Sequence, residues 1–227
     1  MLDFVIAPPA TPAVPVAGGG YFPIRRIFCV GRNYAAHTRE MGGDPNREPP
    51  FFFTKPADAI VVGDSVPFPS ATDNLHHEME LVVALGSGGK DIPPGAALDH
   101  VYGYAAGVDL TRRDLQDEAK SLRRPWDMSK GFDHSAPVGP IAPSSRVGHP
   151  ASGRISLTVN GEQRQNGDLS DMIWPVADII ACLSSLVELM PGDLIFTGTP
   201  DGVGQLRRGD RIAGVIDGVG QLEFTLA

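Results

Sequence analysis

The stretch His76-His77-Glu78-Met79-Glu80-Leu81-Val82-Val83 constrains this chain more than any other. Its apolar and β-branched continuation, stopped at Gly86, predicts a β-strand. Alternate residues of a strand share a face, so Glu78 and Glu80 are expected to project together beside Val82 and Ala84. Two carboxylates aimed at the buried side of a sheet repel and desolvate one another unless a cation lies between them. The alternative is an edge strand whose acidic face is in water, because charges commonly guard sheet edges. The stretch therefore demands either a cation or an exposed edge.

The chain of 227 residues suits one domain with a proper core. Gly 27 and Pro 21 make up about a fifth of it, which favours many turns and short strands over a helical bundle. A net charge of -8 argues against nucleic acid or an anionic membrane as partner, yet leaves room for a small anionic substrate at a local cluster of cations. Cys29 and Cys182 lie far apart in apolar surroundings and read as buried thiols of a reducing compartment. Met1 to Gly20 lacks a basic start and is broken by prolines, so it makes a poor secretory signal. The apolar window Val176 to Met190 contains Asp178 and Glu188, which disqualifies it as a membrane span. A cytoplasmic protein is expected.

Residues 1–24 are expected to form an N-terminal arm, loosely held and with one short strand, ahead of a single β-rich domain over 25–227. Arg26 to Val30 predicts a buried strand, and Tyr34 to Met41 a short helix with Asn33 as N-cap. His37 and Glu40 are three apart on that helix and share a face. A carboxylate beside an imidazole can fix its tautomer and raise its basicity, as a water-activating base requires, although a solvated helix face reads the same way. The polar segment Gly42 to Pro50, full of turn residues, could move with this helix as a lid. Phe51 to Pro56 predicts a strand in which Lys55 is ambiguous. Gly86 to Asp91 resembles a phosphate loop only superficially, because Ala84 stands where the Walker spacing needs glycine.

Val101 to Asp109 predicts a small-residue strand that ends in an aspartate, followed by a helix opening at Thr111 with Asp114 as a weak capping box. Arg113, Gln116 and Lys120 fall on one face of that helix. Lys130 lies in a stretch without regular period. Asn160-Gly161 is a strong type I′ hairpin signal, and a second hairpin is expected to turn at Asp217-Gly218. Between them, Val176 to Met190 has the apolar spacing of a core helix closed by Pro191-Gly192. Glu78, Glu80 and Asp109 together offer only oxygen donors, which favours Mg²⁺, Mn²⁺ or Ca²⁺ over zinc. Carboxylates on such an ion leave positions for a bidentate 2-oxo acid, with the metal as Lewis acid. His76 shares the strand face of the glutamates, so a mixed site that includes it is conceivable, although packing or support for the glutamates is the favoured reading.

The segments GRNYAAHTREMG, FFFTKPADAIV, HHEMEL, GYAAGVDLTRRDLQ, PWDMSKGFD, VNGEQRQ and GDLIFTGTPDGVG, in this order, resemble the fumarylacetoacetate hydrolase family over about residues 25–225. Within it the chain is most similar to the short acylpyruvate hydrolase branch, the fumarylpyruvate hydrolases of gentisate degradation. The resemblance implies an α+β, β-rich fold, the mixed β-roll of that family with short peripheral helices, usually as a homodimer. It implies Glu78, Glu80 and Asp109 as metal carboxylates, commonly for Mg²⁺, and His37 with Glu40 as the water-activating dyad on a mobile lid. Arg113, Gln116 and Lys130 would lie near the substrate carbonyls and the developing oxyanion, and Thr199 at the substrate carboxylate. Arg32 would hold the lid or the substrate. The implied reaction is metal-dependent hydrolysis of an acylpyruvate such as 3-fumarylpyruvate to fumarate and pyruvate. Oxaloacetate decarboxylation, or isomerisation or dehydration of a 2-oxo acid, is the rival on the same scaffold. A non-catalytic, cation-stabilised acid-binding protein is the rival of another class. Arg47, Arg123 and Arg124 are the cations available for a second substrate carboxylate.

Overall fold

The computed structural model describes residues 4–41 and 49–227. The acidic stretch forms two strands, Leu75–His77 and Met79–Leu85, with Glu78 at the break between them. Every residue of Met79–Leu85 is buried, which removes the edge-strand alternative. This strand lies inside a six-stranded sheet ordered Ala142–Pro143, Val101–Val108, Met79–Leu85, Asp193–Phe196, Arg26–Val30, Phe52–Lys55. The sheet is mixed, since Asp193–Phe196 runs parallel to Arg26–Val30 and antiparallel to Met79–Leu85. Both of its faces are covered, which is why its strands read as continuous apolar runs instead of alternating ones. Leu81, Val83 and Leu85 enter the main core, while Val82 and Ala84 point the other way, into a second cluster with Ile27, Cys29, Leu194 and Phe196.

A five-stranded sheet, ordered Glu162–Asp168, Arg154–Val159, Arg211–Ile216, Gly220–Leu226, Ser65–Val66, closes the main core from the opposite side. Ile155, Leu157, Ile212 and Phe224 are its contributions there. Its first hairpin turns where expected: Asn160 (φ 54°) and Gly161 (φ 82°) are both left-handed, as a type I′ turn requires. A small third sheet joins Thr111–Arg112, Leu75–His77 and Gly204–Leu206. The fold is thus β-rich with short helices, and none of the described helices is long and apolar enough to cross a membrane.

Several local expectations are corrected. The first helix spans Ala35–Glu40, and its N-cap Tyr34 makes no side-chain capping bond. Asn33 is instead fully buried and braces the entry to that helix, donating to Thr197 O at 2.8 Å and Trp174 O at 3.0 Å. Thr111 belongs to a strand, and the next helix, Arg113–Ser121, has no capping box because Asp114 turns outward to Thr72 and the Asp73 amide. Lys130 ends a one-turn helix, Asp127–Lys130, too short to impose a period on the sequence. The core helix stops at Leu186, and Val187 is already extended, because Leu189 pairs with Gly89 through backbone bonds in both directions. The arm is packed from residue 13 onward: Ala13–Pro15 pairs with Tyr21–Pro23, and Val14, Phe22 and Ile24 enter the second cluster. Cys29 is buried as expected, whereas Cys182 is only partly so. Of the expected lid, residues 42–48, including Arg47, lie outside the described residues.

Candidate active site

The site is assembled where the strand pair at the centre of the large sheet runs out. The register Met79↔Val108 places Asp109 opposite Glu78, and the Asp109 amide continues the ladder onto Glu78 O at 2.8 Å. Glu80, one pleat further, follows the face of Val82. Glu78, Glu80 and Asp109 therefore converge, with ligand oxygens all within 4.8 Å of one another and all three residues buried.

Their electrostatic surroundings are unequal. Glu78 takes Arg113 Nη2 at 2.5 Å and Lys130 Nζ at 2.8 Å. Burial opposes its charge, but Lys130 and Arg113 outweigh that and hold the carboxyl well below the ordinary range. Asp109 Oδ2 takes Lys130 Nζ at 2.6 Å. Its Oδ1 lies 2.8 Å from Lys55 Nζ but off hydrogen-bonding geometry, so this buried oxygen has no hydrogen-bond donor among the described residues. Glu80 has no cation of its own among the described residues, only the Gly198 amide at 2.7 Å. Burial first, then the charges of Asp109 and Glu78, push its carboxyl well above the ordinary range. Three buried carboxylates whose oxygens lie within 4.8 Å of one another, one of them short of positive charge, fit an oxygen-preferring divalent cation shared by the three residues.

Beside this cluster, Arg32, His37, Glu78, Arg113, Gln116 and Lys130 line one pocket. His37 Nδ1 lies 3.1 Å from Glu40 Oε2. A carboxylate only accepts, so the bond places a proton on Nδ1, and in the neutral imidazole the lone pair is then on Nε2. His37 is buried while Glu40 is one-third exposed, so the imidazole and not the carboxylate faces the pocket. Gln116 Oε1 accepts from Arg113 Nη1 at 2.6 Å, which leaves the Nε2 donors for another partner. Arg32 stacks over Phe51 at 5.8 Å from the ring centre.

Two expected residues sit differently from a free substrate contact. Lys130 Nζ directs its three N–H groups at Glu78, Asp109 and, at 2.6 Å, Thr111 Oγ1. Burial disfavours its charge, but Asp109 and Glu78 overcome this and raise its pKa. Thr199 Oγ1 donates to Met79 O at 2.8 Å and accepts from Gln165, and the residue does not line the pocket. His76 is half-buried against Asn74, with a pKa lowered to about 4 by burial and by Arg113, and is no member of the carboxylate cluster. Sequence reasoning missed Lys55, whose ammonium is fully buried and bonded to Leu110 O and Lys130 O as well as facing Asp109. The one signal for it was a lysine closing an aromatic run. It missed Gln165 too, for which an alternating hairpin strand offers no signal.

Comparison with known proteins assigns the chain to a family. The family description "Fumarylacetoacetate (FAA) hydrolase C-terminal" matches residues 26–227. The structure of fumarylpyruvate hydrolase from Pseudomonas aeruginosa, in complex with Mn²⁺ and pyruvate, superposes with a TM-score of 0.96 at 52% identity, covering 99% of each chain. The mitochondrial oxaloacetate tautomerase of Rattus norvegicus is 45% identical over 201 residues, 88% of this chain and 90% of the relative. A 5-carboxymethyl-2-hydroxymuconate delta-isomerase from Mycobacterium smegmatis shares the fold at TM-score 0.81 and 34% identity, over 91% of this chain and 80% of that one. The chain belongs to the fumarylacetoacetate hydrolase family.

Proposed function

We propose that this protein is a metal-dependent hydrolase that cleaves the carbon–carbon bond of an acylpyruvate, with 3-fumarylpyruvate as the preferred substrate and fumarate and pyruvate as products. The observation that carries the reading is the His37–Glu40 pair, whose tautomer leaves Nε2 as a base beside the carboxylate cluster. A cation held by Glu78, Glu80 and Asp109, with Mg²⁺ or Mn²⁺ favoured over Ca²⁺, would supply Lewis-acid chemistry to the 2-oxo-acid end of the substrate. His37 Nε2 takes a proton from water as the oxygen attacks C4 of the acylpyruvate, and Glu40 steadies the imidazolium that forms. Gln116, through Nε2, and Arg113 donate to the oxygen that gains charge at C4. The C4–C3 bond then breaks as the C4 oxyanion collapses to the carboxyl group of the released acid, and its electron pair passes to C3 of the pyruvyl fragment. C3 takes the proton carried by His37, which returns the imidazole to its neutral form. Lys130 holds Glu78 and Asp109 at their spacing and reaches a substrate oxygen only by exchanging one of those partners. Thr199 has its hydroxyl hydrogen engaged, so a role at the substrate carboxylate requires that bond to Met79 to give way. Arg32 guards the mouth of the pocket.

Similarity to the Pseudomonas enzyme, at 52% identity over nearly the whole chain, supports this reading, since the pyruvate in that structure is a product of the proposed reaction. A homodimer in the cytoplasm, serving gentisate breakdown with Mg²⁺, completes the proposal. The second reading is oxaloacetate tautomerisation, favoured by the 45% identity to the rat enzyme. That reaction moves one proton at C3 with the same carboxylates and needs no attacking water. The two are separated by the ultraviolet decay of 3-fumarylpyruvate with protein stripped by EDTA and then given Mg²⁺ or Mn²⁺. The proposal expects loss of the enol absorbance only after metal is restored. Intact fumarylpyruvate together with rapid keto–enol exchange of oxaloacetate would establish the second reading instead.

A further inference from the structure

The loop that follows Asp193–Phe196 touches both halves of the site. At its start the Gly198 amide donates to Glu80 Oε2. Near its end the Gly202 amide donates to Glu40, 3.1 Å from Oε1 and 3.3 Å from Oε2, and Glu40 in turn receives His37 Nδ1–H. Between the two amides the loop is pinned from the other sheet. Gln165 Nε2 donates to Thr199 Oγ1 at 2.8 Å and to Pro200 O at 2.9 Å. Pro200 O can only accept, which settles the orientation of the amide. Gln165 Oε1 then accepts from the Met79 amide and from His77 Nδ1–H, each at 3.0 Å. Both donors and both lone pairs of Gln165 are thus in use, and the side chain is fully buried on a strand whose Glu162, Gln163 and Arg164 are exposed. The loop passes so close to this strand that a Cβ on Gly202, at φ +89°, would lie 2.1 Å from Arg164 O.

We infer that Gln165 is a positioning residue for hydrolysis: by pinning Thr199 and Pro200 it fixes the Gly202 N–H that orients Glu40, and through Glu40 the His37 imidazole. The inference rests on the hydrolase reading above. Gln165 is fully buried and does not line the pocket that holds His37 and Glu78. A misplacement of about 1 Å in such a relay costs up to about 10²-fold in rate.

The test is a double-mutant cycle of Gln165→Met with Glu40→Ala, followed by turnover of 3-fumarylpyruvate at saturating Mn²⁺. Gln165→Met alone is expected to lower kcat by about tenfold or more with KM changed less than about threefold. In the Glu40→Ala background the same substitution should cost less than about twofold, because the group it acts through is gone. An equal loss in both backgrounds overturns the inference and makes Gln165 a structural residue, while the hydrolase reading survives. If Glu40→Ala turns over at the parent rate, the hydrolytic dyad itself fails and the inference falls with it. Should Gln165→Met not fold, Thr199→Val completes the cycle, since it removes the loop hydroxyl and leaves the bonds of Gln165 to Met79 and His77 in place.

Discussion

Replacing Glu80 with glutamine is expected to abolish turnover while leaving the fold intact. The substituted amide keeps an acceptor for the Gly198 N–H, which Glu80 binds at 2.7 Å, but loses the charge that draws a hard cation. Loss of a single oxyanion donor costs about 10²–10³ in kcat, and loss of a metal carboxylate should exceed that because it also weakens cation binding. Titration with Mn²⁺ should show the weakened affinity directly. The same substitution carries a stability signature in EDTA. Burial and the neighbouring Asp109 and Glu78 raise the Glu80 carboxyl, so the folded state holds a proton that the unfolded state has released. The contribution of Glu80 to the stability of the stripped parent therefore falls as pH rises from the ordinary carboxyl value of 4.5 toward the raised folded value. Glu80→Gln should flatten that fall. A variant that binds Mn²⁺ like the parent, or keeps its turnover, would remove Glu80 from the metal site.

His37→Asn is expected to lower kcat by about 10²–10⁴, the ordinary range for a general base, while Mn²⁺ affinity stays near the parent value. The separation follows from the geometry: His37 faces the pocket and bonds to Glu40, whereas the cation ligands are Glu78, Glu80 and Asp109. A non-catalytic acid-binding protein would show no such loss. Equal falls in turnover and in metal affinity would mean that His37 supports the carboxylate cluster instead of acting on water.

The carboxylates were legible because each is anomalous where it stands. Glu78 and Glu80 lead into an apolar run and Asp109 closes a strand of small residues, so the pattern left either a buried cation site or an exposed acidic edge, and the buried strand Met79–Leu85 decides between them. The His37–Glu40 pair was legible because helical spacing is local, three residues apart. Lys55 and Gln165 were not, because what makes them matter lies far along the chain: Gln165 meets His77 across 88 positions, and Lys55 meets Lys130 across 75. A buried glutamine in the hairpin strand Glu162–Asp168 looks like any exposed one until the loop at Thr199 and Pro200 closes on it. Helix starts misled for a related reason. Asn33 has the chemistry of a cap, but its amide is taken by Trp174 and Thr197 from distant segments, and tertiary bonds to buried carbonyls outweigh a cap facing solvent. Thr199 shows the same limit from the other side, as a hydroxyl in a recognisable motif whose hydrogen is engaged by Met79 O.

The central claim is that water held by His37 attacks the acyl carbon. It is tested most directly by turning over 3-fumarylpyruvate with the Mg²⁺-loaded protein in ¹⁸O-water and analysing the fumarate by mass spectrometry. Hydrolysis predicts fumarate and pyruvate in equal amounts, with one solvent oxygen in each fumarate formed. Fumarate without solvent oxygen, or no fumarate at all from a protein that interconverts the keto and enol forms of oxaloacetate, would contradict it.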